Sequence, residues 1–409
     1  MQLEFICNTQ ELYTVLKNIK PVMPKRPSHP ILADVLVTAT KGSDGEDDTI
    51  SFLASDLALW IVGEIKATVV TPGSCCVPFN IFYNQVETNR NANNTCQILV
   101  ASNEDDTVGE LLLTFNSGGY TIRQIKPIDE YPDMPKVHDN QFQLHRDIAM
   151  TMVTAYACAS KDETKQILTG IQFQVRQYLN KRTILIASTD GFCLYKSELD
   201  YDDLTADVLE GDYEINHQIT IAGKLMTVLD SLMTPTTENI ELCYDENNTA
   251  ILVENYLIVG RTFAGDYPLF EQIILNKFNG FDVLVGRKNL LKMSERIGIF
   301  ARLNMDNKDI LNIKLHLDQQ SLEMEGDAKI VGNADELLPA SISIPQDSLA
   351  TNKYNSTIAV NCPLITKGLK LLQDTDVRLR IEQPHQPICL EPLDNKNKEI
   401  YMMMPVQSK

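Results

Sequence analysis

The sequence predicts an α+β protein built from three copies of one domain, each copy two helices packed on antiparallel sheet. Three observations predict it: a proline-marked stop that recurs at a near-constant interval, amphipathic helical patterns at matching places in each interval, and β-branched runs between them. The stops are Tyr131-Pro132 in "IDEYPDMP", Tyr267-Pro268 in "AGDYPLF" and Met404-Pro405 in the tail "MMMPV". Pro132, Pro268 and Pro405 lie 136 and 137 residues apart. Proline has no N–H to give a sheet, so it ends or borders a strand. Stops at equal spacing signal a repeat. The expected domains are 1–138, 139–278 and 279–409.

Each interval opens on a helical pattern: "QELYTVLKNIK", "HRDIAMTMVTAYACA" and "RKNLLKMSERIGIFA". Apolar residues recur there at three- and four-residue steps, as at Leu12, Val15, Leu16 and Ile19. A second helix follows in each: "PFNIFYNQVETN", "AGKLMTVLDSLM" and "PLITKGLKLLQ". Between them lie "TISFLAS", "RTILIAS", "TAILVEN", "DILNIKLHL" and "DVRLRIEQ", whose β-branched residues suit strands. Helices buried against one face of such a sheet complete the domain. "NSGGY" at 116–120 reads as a hairpin turn. "KGSDGEDD", "NRNANN" and "MEGDAKIVGNADE" read as polar loops.

Bulk properties narrow the function. A chain of 409 residues exceeds one ordinary domain, and 44% hydrophobic residues suffice for real cores. No apolar run approaches the ~20 residues of a membrane span. The start "MQLEFICNTQELYTVL" lacks a basic segment followed by an apolar one, so no signal peptide is expected. Nine cysteines without CxxC spacing fit a reduced cytoplasmic setting better than a disulfide framework. The formal charge of −19 argues against coating nucleic acid by bulk attraction, unless the charge is unevenly spread.

Catalytic signals are missing. His29, His138, His145, His217, His316 and His385 show no metal-ligand spacing, and there is no HExxH, GxSxG or Walker loop. No metal or cofactor is expected. Asp190-Gly191 in "STDG" follows the run "TILIAS" and reads as a strand ending in a turn. A multi-domain hydrolase with Asp190 in an interdomain cleft is the alternative from another class, although no acid/base partner is signalled. A structural scaffold of three repeats, with no nucleic-acid role, is a third.

"RPSHPIL" (26–32), "SDLALWIVGEI" (55–65), "LTGIQF" (168–173), "ASTDGFCLYKSEL" (187–199), "GDYPLF" (265–270) and "YMMMPV" at the end fall in order along the chain. Together they resemble the bacterial sliding clamps, the β subunits of DNA polymerase III. The resemblance spans essentially the whole chain, and the order and spacing of the motifs carry it. It implies the DNA clamp fold and a head-to-tail homodimer that closes a ring around duplex DNA. It also implies a non-catalytic processivity subunit of a DNA-directed DNA polymerase, tethering the polymerase, clamp loader and repair proteins through short hydrophobic peptides. Acidic residues would then dominate the outside, while basic residues on or beside the helices face phosphate. Arg26, Lys17, Lys20, Lys161, Lys165 and Lys224 are the candidate DNA contacts, with Lys292 and Arg302 placed similarly. Such contacts would be sequence-independent and salt-sensitive.

The resemblance further implies a peptide groove. Its first half would be Leu168, Thr189, Gly191, Phe192, Leu194, Pro268, Ile273, Met402, Met404, Pro405 and Val406; Asn361, Leu364 and His385 would form the second half. Flexible, polarisable methionines suit a groove with several partners. Met402 to Met404 would alternate between core and surface as one strand does. For the dimer, Tyr120 and Ile122 of "GGYTIRQI" would meet Ile299 and Phe300 of the other copy. Three positions depart from the family pattern: Phe192-Cys193 where a basic pair is common, Gln272 where arginine is common, and Asn80-Ile81 on an inner helix.

Overall fold

The computed structural model of the chain describes residues 2–43, 46–90, 94–102, 109–126, 128–178, 181–201, 217–274, 280–306, 308–344, 357–383 and 385–406. These group into two compact units. The first comprises Met1–Val153 and Ile221–Ala264, the second Thr154–Thr220 and Gly265–Lys409.

All six expected helices form: α1 (Thr9–Ile19), α2 (Phe79–Asn89), α3 (Arg146–Tyr156), α4 (Gly223–Leu232), α5 (Arg287–Leu303) and α6 (Cys362–Leu371). Local chemistry starts them. The Asn8 side chain accepts from the Gln10 and Glu11 amides at 2.8 and 3.2 Å, satisfying donors that the first turn of α1 leaves open. Asn361 does the same for α6 through the Leu364 amide at 3.2 Å, with Pro363 in the first turn. The apolar stripe of α1 is fully buried at Leu12, Val15, Leu16 and Ile19. Each such side chain contributes roughly 1.5–3 kcal/mol on removal from water.

In the first unit, eight strands run antiparallel in the order 73–78, 34–40, 49–55, 59–66, 256–263, 248–253, 239–244 and 141–145. A second sheet orders 68–71, 2–8, 95–102, 109–115 and 118–125. Helices α1 and α2 pack together, with Tyr13 and Tyr83 rings 6.0 Å apart. The second unit follows the same plan. One run orders 170–178, 181–189, 193–200, 400–403, 388–392, 376–381, 281–286 and 341–343. A four-stranded sheet orders 333–339, 321–327, 310–316 and 358–361, with α5 packed on it and against α6.

Two expectations fail here. "MEGDAKIVGNADE" is not a polar loop: it forms most of the hairpin Ser321–Asp327 and Asn333–Pro339. Its carboxylates find basic partners on neighbouring elements, Glu325 with Lys314 and Glu336 with Arg296 at 2.8 Å, so an acidic segment can lie in a sheet. "KGSDGEDD" and "NRNANN" fall partly outside the described residues. The second failure is Ile122, which is 3% exposed. It opposes Leu111 and points into the chain's own core, so its side chain has no surface to offer a second copy. Tyr120, on the same face by strand alternation, lies at the rim and is 37% exposed. Ile299 is exposed and Phe300 half-buried on α5.

Candidate functional site

The site in the second unit begins with a turn. Asp190, Gly191 and Phe192 connect the strands Lys181–Thr189 and Cys193–Asp200. Asp190 Oδ1 accepts from the Phe192 and Cys193 amides, both at 2.8 Å. Thr189 Oγ1 accepts from the Gly191 amide at 3.0 Å and donates to the Cys193 carbonyl at 2.6 Å. Gly191 has φ +90°, a left-handed conformation that glycine adopts without steric cost. The turn throws Phe192 outward, 67% exposed. From below, the Tyr267 hydroxyl accepts from the Thr189 amide at 3.0 Å. Asp190 is thus occupied as a turn former, and its other oxygen lies 3.7 Å from Lys367 Nζ. These bonds lend the hydrolase reading no support. Among the described residues no group of three or more His, Cys, Asp or Glu is placed to hold a metal.

The tail supplies the facing wall. Ile400–Met403 is an inner strand, paired with Cys193–Asp200 on one side and Ile388–Pro392 on the other. Tyr401 is fully buried and its hydroxyl donates to the Leu364 carbonyl at 2.7 Å. Met402 and Met403 are 3% and 1% exposed, so the expected alternation is absent: both faces of this strand are covered. The strand ends at Met403, two residues before Pro405. The Met404 amide donates to the Phe192 carbonyl at 2.9 Å, the Val406 amide to the Ala359 carbonyl at 2.8 Å, and the Met404 side chain is 43% exposed.

Between turn and tail lies a small, shallow cavity of about 50 Å³. Of the expected residues it unites Thr189, Gly191, Phe192, Leu194, Ile273, Met402 and Met404; Cys193, Met403 and Pro387 complete its lining. Its floor is the cluster of Leu185, Ala187, Leu194, Tyr267, Phe270, Cys389 and Met402, against which Leu168 packs. The remaining expected residues do not line the cavity. Pro268 and His385 are exposed nearby in sequence, and Pro405 and Val406 are half-buried beyond its mouth. Asn361 is committed to capping α6, and the Leu364 carbonyl to Tyr401. Pro387 was legible only as a neighbour of His385. Cys193 and Met403 were hidden because alternation alone turns them away from the residues beside them.

One wall is electrostatically unusual. The Cys193 thiol is held below its ordinary value by its interaction with the Cys158 thiol first and by the Lys367 charge and Tyr401 hydroxyl after it, against burial and the Asp190 charge; Cys158 is correspondingly pushed up. Lys367 Nζ lies 3.5 Å from Cys193 Sγ.

The expected DNA-contacting cations are all exposed. Lys17 and Lys20 lie at the C-terminal end of α1, with Lys20 Nζ 3.9 Å above the Tyr83 ring. Arg90, which the sequence reading passed over, sits similarly 4.4 Å from the Tyr13 ring. Arg26 occupies the irregular stretch before the 3-10 helix Pro30–Ala33. Lys224 on α4 lies 3.7 Å from Asp56. In the second unit, Lys161 and Lys165 lie before and within the 3-10 segment Glu163–Thr169.

A groove with an apolar floor and exposed apolar walls has the make-up of a site that binds another chain. Residues 3–135 match the N-terminal domain, and 140–269 the central domain, of the DNA polymerase III β subunit. The chain is 28% identical over 410 residues to the β sliding clamp of Synechococcus elongatus, covering 99% of each. It is 22% identical over 421 residues to that of Bacillus subtilis, covering 99% of this chain and 100% of the other. The crystal structure of the Bacillus subtilis DNA polymerase sliding clamp has a similar fold: TM-score 0.84, 19% identity, and 100% of both chains covered. The chain belongs to the DNA polymerase III β subunit family, the β sliding clamps, and is a non-catalytic processivity subunit.

Proposed function

We propose that the groove between the Asp190 turn and the tail docks short Q-L-x-L-F-like peptides carried by the polymerase, the clamp loader and repair proteins. The observation that carries this is the exposure of Phe192, Ile273 and Met404, at 67%, 53% and 43%, around a buried apolar floor. Apolar side chains rimming a concavity mark an interaction site. Leu168, Pro268, Pro405 and Val406 extend the first half of the groove beyond the cavity, and Asn361, Leu364 and His385 form its second half. We propose further that the chain divides into three domains, 1–138, 139–278 and 279–409, and that two copies close head to tail around duplex DNA in the cytoplasm. The strands Gly118–Ile125 and Asn333–Pro339 each stand at the end of a sheet, and pairing such edges protects them. Tyr120, Ile299 and Phe300 would border that contact, and Arg26, Lys17, Lys20, Lys161, Lys165 and Lys224 would meet phosphates.

The test is a titration of a fluorescent Q-L-x-L-F peptide into the full chain and into a chain ending at Met403. Removing Met404 and Val406 costs two backbone hydrogen bonds, about 0.5–1.5 kcal/mol each, so the truncated protein should stay folded. Its peptide affinity should fall more than about a hundredfold, the loss of two apolar pockets. Undiminished binding by the folded truncation would refute the groove.

A further inference from the structure

We propose that Ile81 of one copy and Ile330 and Val331 of another form an apolar clasp at one end of the joint between two copies of this chain. Three exposures carry it: Ile81 on α2 is 53% exposed, Ile330 99% and Val331 66%. The departure at Asn80-Ile81 and the turn inside "MEGDAKIVGNADE" thus set isoleucine on a helix flank and on a hairpin tip, both facing water. The tip is braced. The Ala328 amide donates to the Gly332 carbonyl at 2.8 Å, and the Lys329 amide to Asp327 Oδ1 at 2.7 Å. Asn304 Nδ2 donates to the Asp327 carbonyl at 2.7 Å, and the Lys329 ammonium pairs with Asp306. Apolar side chains fixed in water beyond the reach of their own chain mark a surface that another chain covers.

The occupant is a second copy, because each patch flanks one of the two unpaired sheet edges. In the first unit the edge strand Gly118–Ile125 runs beside α2 in the opposite direction. At one end Ser117 Oγ donates to Asn89 Oδ1 at 2.9 Å, and at the other Lys126 bridges Cys76, just before α2 begins. Ile81 therefore stands at the Ile125 end. In the second unit α5 runs beside Asn333–Pro339. Arg296 Nε donates to Glu336 at 2.8 Å, and the Phe300 ring lies 3.7 Å from where a Cβ on Gly332 would sit. That leaves Ile330 and Val331 at the Asn333 end. Both edges already stand on antiparallel ladders. A joint that continues both sheets in the same sense lays Ile125 near Asn333, and so Ile81 near Ile330 and Val331. The clasp rests on the head-to-tail reading and adds to it the direction of the strands and the residues at one end. Two copies at −19 each repel; burying isoleucine adds attraction without adding charge.

The test links the two sites in the full-length protein. Ile81→Cys and Ile330→Cys are combined in one chain and treated with a short bis-maleimide, the native cysteines being buried or half-buried. A product of twice the chain's mass on a denaturing gel is expected from the double variant and from neither single one. Ile81→Cys with Leu337→Cys, toward the far end of the edge strand, should not link. Linking of that pair in place of Ile81 and Ile330 would overturn the clasp by reversing the strands. A dimer in sedimentation that yields no product between positions 81 and 330 would overturn it too, while leaving the head-to-tail reading standing. Monomers alone from the unaltered protein would refute that reading and the clasp together. Ile330→Asp measures the effect. A side chain 99% exposed has almost no contact to lose in its own copy, so the melting temperature of dilute, monomeric protein should not move. The dimer dissociation constant should rise about tenfold or more, and an unchanged constant would overturn the clasp.

Discussion

The turn at Asp56 in the first unit and the turn at Asp190 in the second are the same device. Asp56 Oδ1 accepts from the Ala58 and Leu59 amides at 3.0 and 2.8 Å, and Ser55 Oγ accepts from the Leu57 amide at 3.0 Å. Thr189, Asp190, Gly191, Phe192 and Cys193 reproduce that pattern bond for bond. Each turn leans on a tyrosine from a Tyr-Pro stop: the Tyr131 hydroxyl donates to the Leu53 carbonyl at 3.0 Å, and that of Tyr267 accepts from Thr189. What differs is the strand beside the turn. Gly260 opposes Leu59, and the strand runs on through Arg261 to Phe263. Met403 opposes Cys193, and there the strand stops, freeing Met404 and Pro405. The cavity near the first turn is lined by Pro30, Ile31, Leu32, Leu57 and Pro132 with His29 and Glu130 beside them, whereas the second has Met402, Met403 and Met404 from the tail in its wall. A repeated turn therefore builds the frame in both units, and the end of the neighbouring strand decides whether a methionine wall stands beside it.

The largest effect should come from erasing that difference. Met404→Arg copies the residue that follows the matching strand position in the first unit. Losing one apolar pocket, worth up to about 1.5–3 kcal/mol, should weaken peptide binding roughly ten- to a hundredfold with the melting temperature nearly unchanged. Peptide titration at constant salt checks this, and an unaltered affinity would show that Met404 contributes no pocket.

The equivalence of the two frames predicts equal stability losses. Asp56→Ala and Asp190→Ala each strand two backbone donors and should each cost about 2 kcal/mol in urea unfolding. A several-fold difference between them would mean that one turn is held by something other than its aspartate.

The smallest effect concerns the one position where the frames use different residues for the same backbone. Leu57 has φ +71° where Gly191 has φ +90°. A left-handed leucine costs roughly 1–2 kcal/mol, and glycine's greater freedom in the unfolded chain offsets part of the relief. Leu57→Gly should therefore stabilise the protein by about 0.5 kcal/mol, and Gly191→Ala should destabilise it by about 1 kcal/mol, since nothing lies within 4 Å of the added methyl to compensate. Paired thermal melts decide. A destabilised Leu57→Gly would show that the leucine side chain matters more than its backbone strain.

The helices, the Asp-Gly turn and the Tyr-Pro stops could be read from the residues because the interactions that make them span three or four positions. Asn8 caps α1 two and three residues on, and Asp190 closes its turn over the same distance. Leu12, Val15, Leu16 and Ile19 bury one helical face whatever it packs on. Seven of the groove residues read from motifs meet around one cavity because the motifs hold these local frames. Tertiary structure alone decided which strand faces are covered. Ile122 turned inward because Leu111 opposes it, and Met402 and Met403 were both buried because the tail strand has neighbours on both sides. Tertiary structure alone also brought Cys193 and Lys367 together, from the start of a strand and from α6. The physical reason is range: caps and turns are satisfied within a few residues, whereas burial and charge depend on whichever distant segments pack against them.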